Sequence, residues 1–276
     1  MKKTSKIMSL VLAGAMVLSL GACSGGGTAE TTKAELTEAV TAASSEEGTE
    51  AASEAGEGAG QTAEGTTYKI GILQLVQHTA LDAANEGFIA ALDEAGIQYD
   101  LDSQNASGDQ SACQTVASKF ANDKKDLILA IATPAAQALA GAVTDTPVLI
   151  TAVTDPAESG LVDDNQKPGG NVTGTSDLTP VKEQIDLLKQ ILPDAKKVGI
   201  LYCSAESNSE IQAQMAREAI EAAGMTSQDF TVSSSNEIQT VVQSMVGKVD
   251  AIYAPTDNTI AAGMKTVGMV AGDNNL

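Results

Sequence analysis

Four carboxylates, Asp155, Asp177, Glu206 and Asp257, stand among small polar residues where apolar runs of strand length stop. The clearest such run is Pro147-Val-Leu-Ile-Thr-Ala-Val-Thr-Asp-Pro156. It is closed by a proline, which neither donates to a ladder nor lets its predecessor go helical. Asp126-Leu-Ile-Leu-Ala-Ile-Ala-Thr-Pro134 and Asp250-Ala-Ile-Tyr-Ala-Pro-Thr-Asp257 repeat the arrangement. In open α/β sheets a ligand lies outside the carboxyl ends of the strands, so three polar strand tips are candidate walls of one crevice. The expected ligand-binding set is Thr133, Pro134, Thr154, Asp155, Ser176, Asp177, Glu206, Asn208, Thr256, Asp257 and Asn258. Each of these is equally a residue type that caps a helix or makes a turn. The two roles are compatible, because helix N-termini point free N–H groups at whatever fills the cleft.

Free N–H groups suit a carboxylate. No Lys or Arg stands at these tips, so a ligand ammonium would offset the buried negative charge. A free amino acid offers both halves. Asp257, with Asp155 as the alternative, is expected to pair with the ammonium, and N–H groups near Thr133-Pro134 and Thr154 to take the carboxylate. A sugar fits less well, since sugar sites stack rings on aromatics and the chain has no Trp. Tyr202 and Tyr253 end strands; they either line a side-chain pocket or pack between sheet and helix, and the residues leave both open.

Other chemistries find little support. The single histidine, His78, has no Cys or His neighbour to make a metal set. There is no Gly-x-Ser-x-Gly elbow and no Gly-rich phosphate loop after a strand, so no catalytic residue and no cofactor are expected. Cys113 and Cys203 fall in different halves and read as buried free thiols. A formal charge of −20 argues against nucleic acid, which rewards basic patches.

The elements that must carry these tips alternate in type from Tyr68 onward. Strands are expected at 69–76, 97–103, 127–132 and 148–151. Between them, a helix at 80–95 has Leu81, Ala84, Phe88, Ala91 and Leu92 on one stripe, Asp109 caps a second, and Thr133 with Pro134 opens a third. Residues 155–177 read as loop. A second block follows, with strands at 197–202, 225–232 and 249–253. Its helices begin at Thr179-Pro180, at the capping boxes Ser207 to Glu210 and Ser234 to Glu237, and near Asn258. Alternation of this kind implies right-handed crossovers and largely parallel sheets. Two such blocks predict two Rossmann-like lobes, 68–175 and 176–276, around a cleft. The chain stops soon after a helix with no further strand, so the second lobe is expected to be incomplete.

Residues 1–67 are of another character. Lys2, Lys3 and Lys6 precede an apolar run, 7–20, too short to span a bilayer comfortably, and Leu20-Gly-Ala-Cys23 follows. That is the layout of an export signal over 1–22, and small residues ahead of a cysteine resemble the bacterial lipobox, which makes Cys23 a lipid anchor. Residues 24–67 hold one Lys against nine Glu and almost no large apolar side chain. They read as a solvated acidic tether.

Six stretches together resemble the substrate-binding proteins of ABC transporters of the tryptophan/tyrosine type, on the type I periplasmic-binding fold. They are His78-Thr-Ala-Leu-Asp-Ala-Ala-Asn-Glu-Gly-Phe88, Ala132-Thr-Pro-Ala-Ala-Gln137, Thr151-Ala-Val-Thr-Asp-Pro156, Gly169-Gly-Asn-Val-Thr-Gly-Thr-Ser-Asp177, Ser204-Ala-Glu-Ser-Asn-Ser209 and Ala254-Pro-Thr-Asp-Asn-Thr259. The resemblance implies a lipid-anchored receptor on the outer face of the cell membrane that delivers an amino acid, aromatic for preference, to an ABC permease and its ATPase. A receptor feeding a sensor, or an α/β enzyme of unknown reaction, is the alternative. The family continues with a Gly-Glu tip and a Gly-rich stretch that returns to the first lobe, neither of which stands here.

Overall fold

The computed structural model describes residues 65–276; the expected export signal, the expected anchor at Cys23 and nearly all of the expected tether lie outside the described residues. The chain divides into two units, Met1–Gly58 and Ala59–Leu276, and all that follows concerns the second.

Its first sheet holds β1 (Tyr68–Gln74), β2 (Tyr99–Asn105), β3 (Leu127–Ile131), β4 (Val148–Val153) and β5 (Val172–Ser176) in the order β2-β1-β3-β4-β5. Every pairing is parallel. The central strands are covered on both faces, so Ile70, Ile72, Leu73 and Ile128 to Ile131 are buried as a nearly continuous apolar run. Helices α1 (Thr79–Glu94), α2 (Gln110–Asp123) and α3 (Thr133–Ala142) make the crossovers. The α1 stripe buries Leu81 and Leu92, with Ala84 and Phe88 partly buried, while Ala91 faces solvent. Asp109 caps α2 as expected, its side chain accepting from the N–H groups of Ser111 and Ala112. Gly71 lies under α2, where a Cβ would stand 2.9 Å from the Phe120 ring.

The expected loop at 155–177 contains β5. Val172 is the only buried residue of this edge strand, so neither alternation nor an apolar run marks it in the sequence. Gly174 lets it approach: a Cβ there would fall 2.0 Å from the carbonyl oxygen of Ile150.

The second sheet holds β6 (Lys197–Cys203), β7 (Thr226–Val232) and β8 (Ala251–Tyr253) in the order β7-β6-β8, again all parallel. It is covered by α4 (Val181–Ile191), α5 (Ser207–Ala222), α6 (Ile238–Met245) and α7 (Asn258–Asp273). The repeated strand sentence has a repeated head: Asp126 Oδ2 accepts from Lys69 N at 2.8 Å, and Asp250 Oδ2 from Lys196 N and Lys197 N at 2.8 and 2.9 Å. Each aspartate thereby ties the start of its own strand to the start of a neighbouring one, β1 in the first sheet and β6 in the second. Cys113 and Cys203 are free and buried, one in each core.

Two expected capping boxes do not form. The residue before α5 is Glu206, whose side chain makes no cap there, and the Glu237 carboxylate accepts from Ser233 and not from Ser234. Thr133 is likewise inside α3; the residue ahead of it is Ala132, at φ 85°. An alanine in that conformation is strained, and strain of this kind collects at ligand sites.

Candidate functional site

The strand tips of the two sheets face one another, and direct bonds join them. Gln137 Nε2 donates to Ser207 Oγ at 3.1 Å, Gln110 Nε2 donates to the Ala205 carbonyl, and His78 Nε2 lies 3.4 Å from Asn258 Oδ1. Between the lobes lies a cavity lined by Leu75, Val76, Ser107, Gly108, Gln110 and Pro134 on one side. On the other stand Cys203, Ala205, Glu206, Ser233 to Ser235, Thr259 and Ala262.

The four carboxylates behave differently in this setting. Glu206 turns away from its own helix and crowns α7. Its Oε1 accepts from Thr259 N at 2.9 Å and Thr259 Oγ1 at 2.8 Å, and its Oε2 from Asn258 N at 3.2 Å and Asn258 Nδ2 at 2.6 Å. Asp257 caps the same helix: Oδ1 accepts from Ile260 N at 2.7 Å and Oδ2 from Cys203 N at 2.6 Å. Both oxygens of Asp257, the carboxylate expected to meet a ligand ammonium, thus accept from backbone donors of this chain. Burial, and then the charge of Glu206, push its carboxyl up to about 6, against the pull of those donors. Asp155 organises a turn, with Oδ1 accepting from Ala157 N, Glu158 N and Asn165 Nδ2. That leaves it no better placed than Asp257.

Asp177 is the exception. Its backbone N–H donates to Val153 O at 3.0 Å, which holds it at the tip of β4, yet its Oδ1 is buried and has no partner. Burial raises its carboxyl pKa, and a hydrogen bond from the Thr154 side chain pulls the other way. Among the described residues no Lys or Arg pairs with Asp177, Glu206 or Asp257. Two further oxygens at the cleft share the condition, Thr133 Oγ1 and Asn208 Oδ1, on side chains that are 1% and 2% exposed. Asn208 is oriented by its amide, which donates to Thr256 O at 3.1 Å and Ser209 Oγ at 3.3 Å, so its carbonyl oxygen is the free end. The first N–H groups of α3 and α5 have no intrahelical partner, whereas those of α7 are taken by Glu206 and Asp257. Ser176 donates to Thr154 O at 2.6 Å and so serves the backbone.

One residue at the centre escaped the sequence: Gln212, wholly buried on the second turn of α5. Its Nε2 donates to Thr154 Oγ1 across the lobes and to Thr256 O, both at 3.2 Å. Its Oε1 accepts from Thr179 Oγ1 at 3.2 Å and Thr256 N at 3.3 Å. It follows no strand and opens no helix, so only its polarity on a buried helical face marks it. Both tyrosines prove to be packing residues: Tyr202 OH donates towards Glu210 and Asp229, and Tyr253 OH to Gln184. Among the described residues, no group of three or more His, Cys, Asp or Glu side chains is placed to hold a metal, and no helix is long and apolar enough to cross a membrane.

The sequence profile of the family described as ABC transporter substrate binding protein matches residues 69–275. The chain belongs to this family of substrate-binding proteins. A curated member, the tyrosine-binding protein of Clostridioides difficile, is 44% identical over 211 residues; the match covers 75% of this chain and 61% of the relative. A substrate-binding domain from Streptococcus pneumoniae, solved in complex with L-Trp, is 44% identical with a TM-score of 0.72, over 76% of this chain and 72% of that one. The ligand-free, open structure of a substrate-binding protein from Clostridium difficile is 45% identical with the same coverage, yet its TM-score is 0.53. At the same coverage and nearly the same identity, this substrate-binding protein thus superposes better on the tryptophan complex than on the open form.

Proposed function

We propose that the protein is the lipid-anchored, extracytoplasmic receptor of an ABC importer and that it closes its lobes on an amino acid with an aromatic side chain. The observation that carries the reading is the buried, partnerless Oδ1 of Asp177, with two more partnerless oxygens just beyond other strand tips, Thr133 Oγ1 and Asn208 Oδ1, and no basic side chain paired with it. An ammonium brings three N–H donors and a positive charge, which answers Asp177 Oδ1, Asn208 Oδ1 and Thr133 Oγ1 together. Its carboxylate then meets the open N-termini of α3 and α5, near Thr133-Pro134 and Asn208. Thr154 supports Asp177, and Asp155, Ser176, Glu206, Thr256, Asp257 and Asn258 shape the walls.

Strand order supplies a ruler. Asp177 lies beyond β4, whereas the inter-lobe cavity lies at the tips of β1, β2 and β3. Strands stand about 4.8 Å apart, so the ligand's side chain has roughly 10 Å of tip surface to cross from β4 to β1, two strands away. Small residues, Gly108, Ala205 and Ala262, leave room there, and Ser233 to Ser235 offer hydroxyls at the far end. That suits a flat ring with one polar atom, and the named relatives bind tyrosine and tryptophan.

Cys23 carries the anchor and residues 23–67 the tether. The partners are the permease and ATPase of the importer and, through the anchor, the membrane; no cofactor and no nucleic acid are involved. Replacing Cys23 by Ser should release the protein from the membrane fraction, and unchanged association would contradict the anchor. Because a single acyl chain holds only marginally, partial release points to a second chain. Ligand choice is tested by thermal shift with the twenty amino acids, where tyrosine or tryptophan should give the largest stabilisation; a response to sugars alone would contradict the site.

A further inference from the structure

Gln212 touches both lobes and the segment between them, and its bonds run in a line. Asp177, the proposed ammonium partner, is held by its backbone N–H on Val153 O, next to Thr154; Thr154 Oγ1 accepts from Gln212; and Gln212 holds Thr256, at the tip of β8, and Thr179, in the crossing segment. A primary amide wholly buried at such a junction is costly unless every bond is made, and the one to Thr154 is made only with the lobes together. An apolar residue of the same shape would fill the space without that cost. We propose that Gln212 is a positioning residue for closure: it couples occupation of the Asp177 site to the docking of the second lobe, and it does so through Thr154. This rests on the receptor reading above for its ligand, though not for its geometry.

The test is a pair of isosteric changes, Gln212→Met and Thr154→Val, alone and together, in the full chain with Cys23→Ser. Spin labels at Ser118→Cys and Ser244→Cys report the distance between lobes, both positions being exposed; Cys113 and Cys203 are buried and escape labelling. Either single change should shift the ligand-free distance distribution towards the open form. Each should also weaken tyrosine or tryptophan binding by about 10-fold, with the double variant no weaker than the singles, as for residues acting through one contact. A residue that merely fills the core of the second lobe would lower the melting temperature and leave the distances unchanged, and that result would overturn the proposal. So would fully additive losses of affinity. If the unaltered protein binds neither amino acid, the receptor reading fails, while the ligand-free distances still decide the role of Gln212.

Discussion

Asp177 differs from the other three carboxylates in what its oxygens touch. Glu206, Asp257 and Asp155 are committed to donors of this chain, and Asp177 keeps a buried oxygen unmatched. Losing one partner of a desolvated charge pair costs about 2 to 5 kcal/mol, and about 1.4 kcal/mol is a decade, so Asp177→Asn should lose at least ~30-fold in amino-acid affinity with the free protein's melting point nearly unchanged. Asp257→Asn is the mirror case. It should melt lower, by the ~0.5 to 2 kcal/mol of a lost cap, and keep its affinity to within a few-fold. Calorimetric titration beside thermal melting of the two variants checks both. Acid supplies another handle on Asp257. Its folded pKa, near 6, lies above the ordinary 3.8, so the native state holds the proton more tightly. The stability this contributes is complete below the ordinary value and is lost as pH rises through about 6. Asp177 acts in the same direction. Asp102 acts oppositely, burial being outweighed by Lys119 and Lys125, but its folded value of about 2 confines its effect to stronger acid. Thermal stability should therefore rise as pH is lowered from 7 to about 5, and the slope should flatten in Asp257→Asn; a slope equal in the variant would contradict the assignment.

Elements were legible in the sequence where their faces were. The buried strands β1, β3, β4 and β6 carry continuous apolar runs, and α1 carries a stripe, so both announce themselves in one dimension. The strand β5 does not, because an edge strand with one buried side chain owes its existence to Ile150 on its neighbour. Gly174→Ala would drive a methyl group into that strand's backbone, and a ΔΔG of about 1 to 3 kcal/mol, read by denaturant melts, is expected from the forced shift. Caps were legible only as types. Asp109 caps the helix it precedes, but Glu206 precedes α5 and caps α7, a choice set by the crossing of two helix N-termini that no local pattern records. The strand tips were thus found from sequence, and the division of labour among them was not. Gln212 lies at the limit of that approach, since its neighbours come from β4, β8 and the crossing segment at once.

At the scale of the whole molecule, two separately cored lobes meet through polar groups. Apolar cores fix each lobe, while the direct bonds between them are made by amides, hydroxyls, a backbone carbonyl and the His78 ring. The chain superposes better on the tryptophan complex than on the ligand-free, open relative. A ligand that binds only the folded, closed state adds about 2.7 kcal/mol of stability at one hundred times its Kd. The most direct test of the account is titration calorimetry of the protein with L-tyrosine and with L-tryptophan, repeated on Asp177→Asn. The account predicts saturable binding of one molecule per chain for at least one of the two, a rise in melting temperature with it, and loss of both effects in the variant. Equal binding by the variant, or no heat from either amino acid, would contradict it.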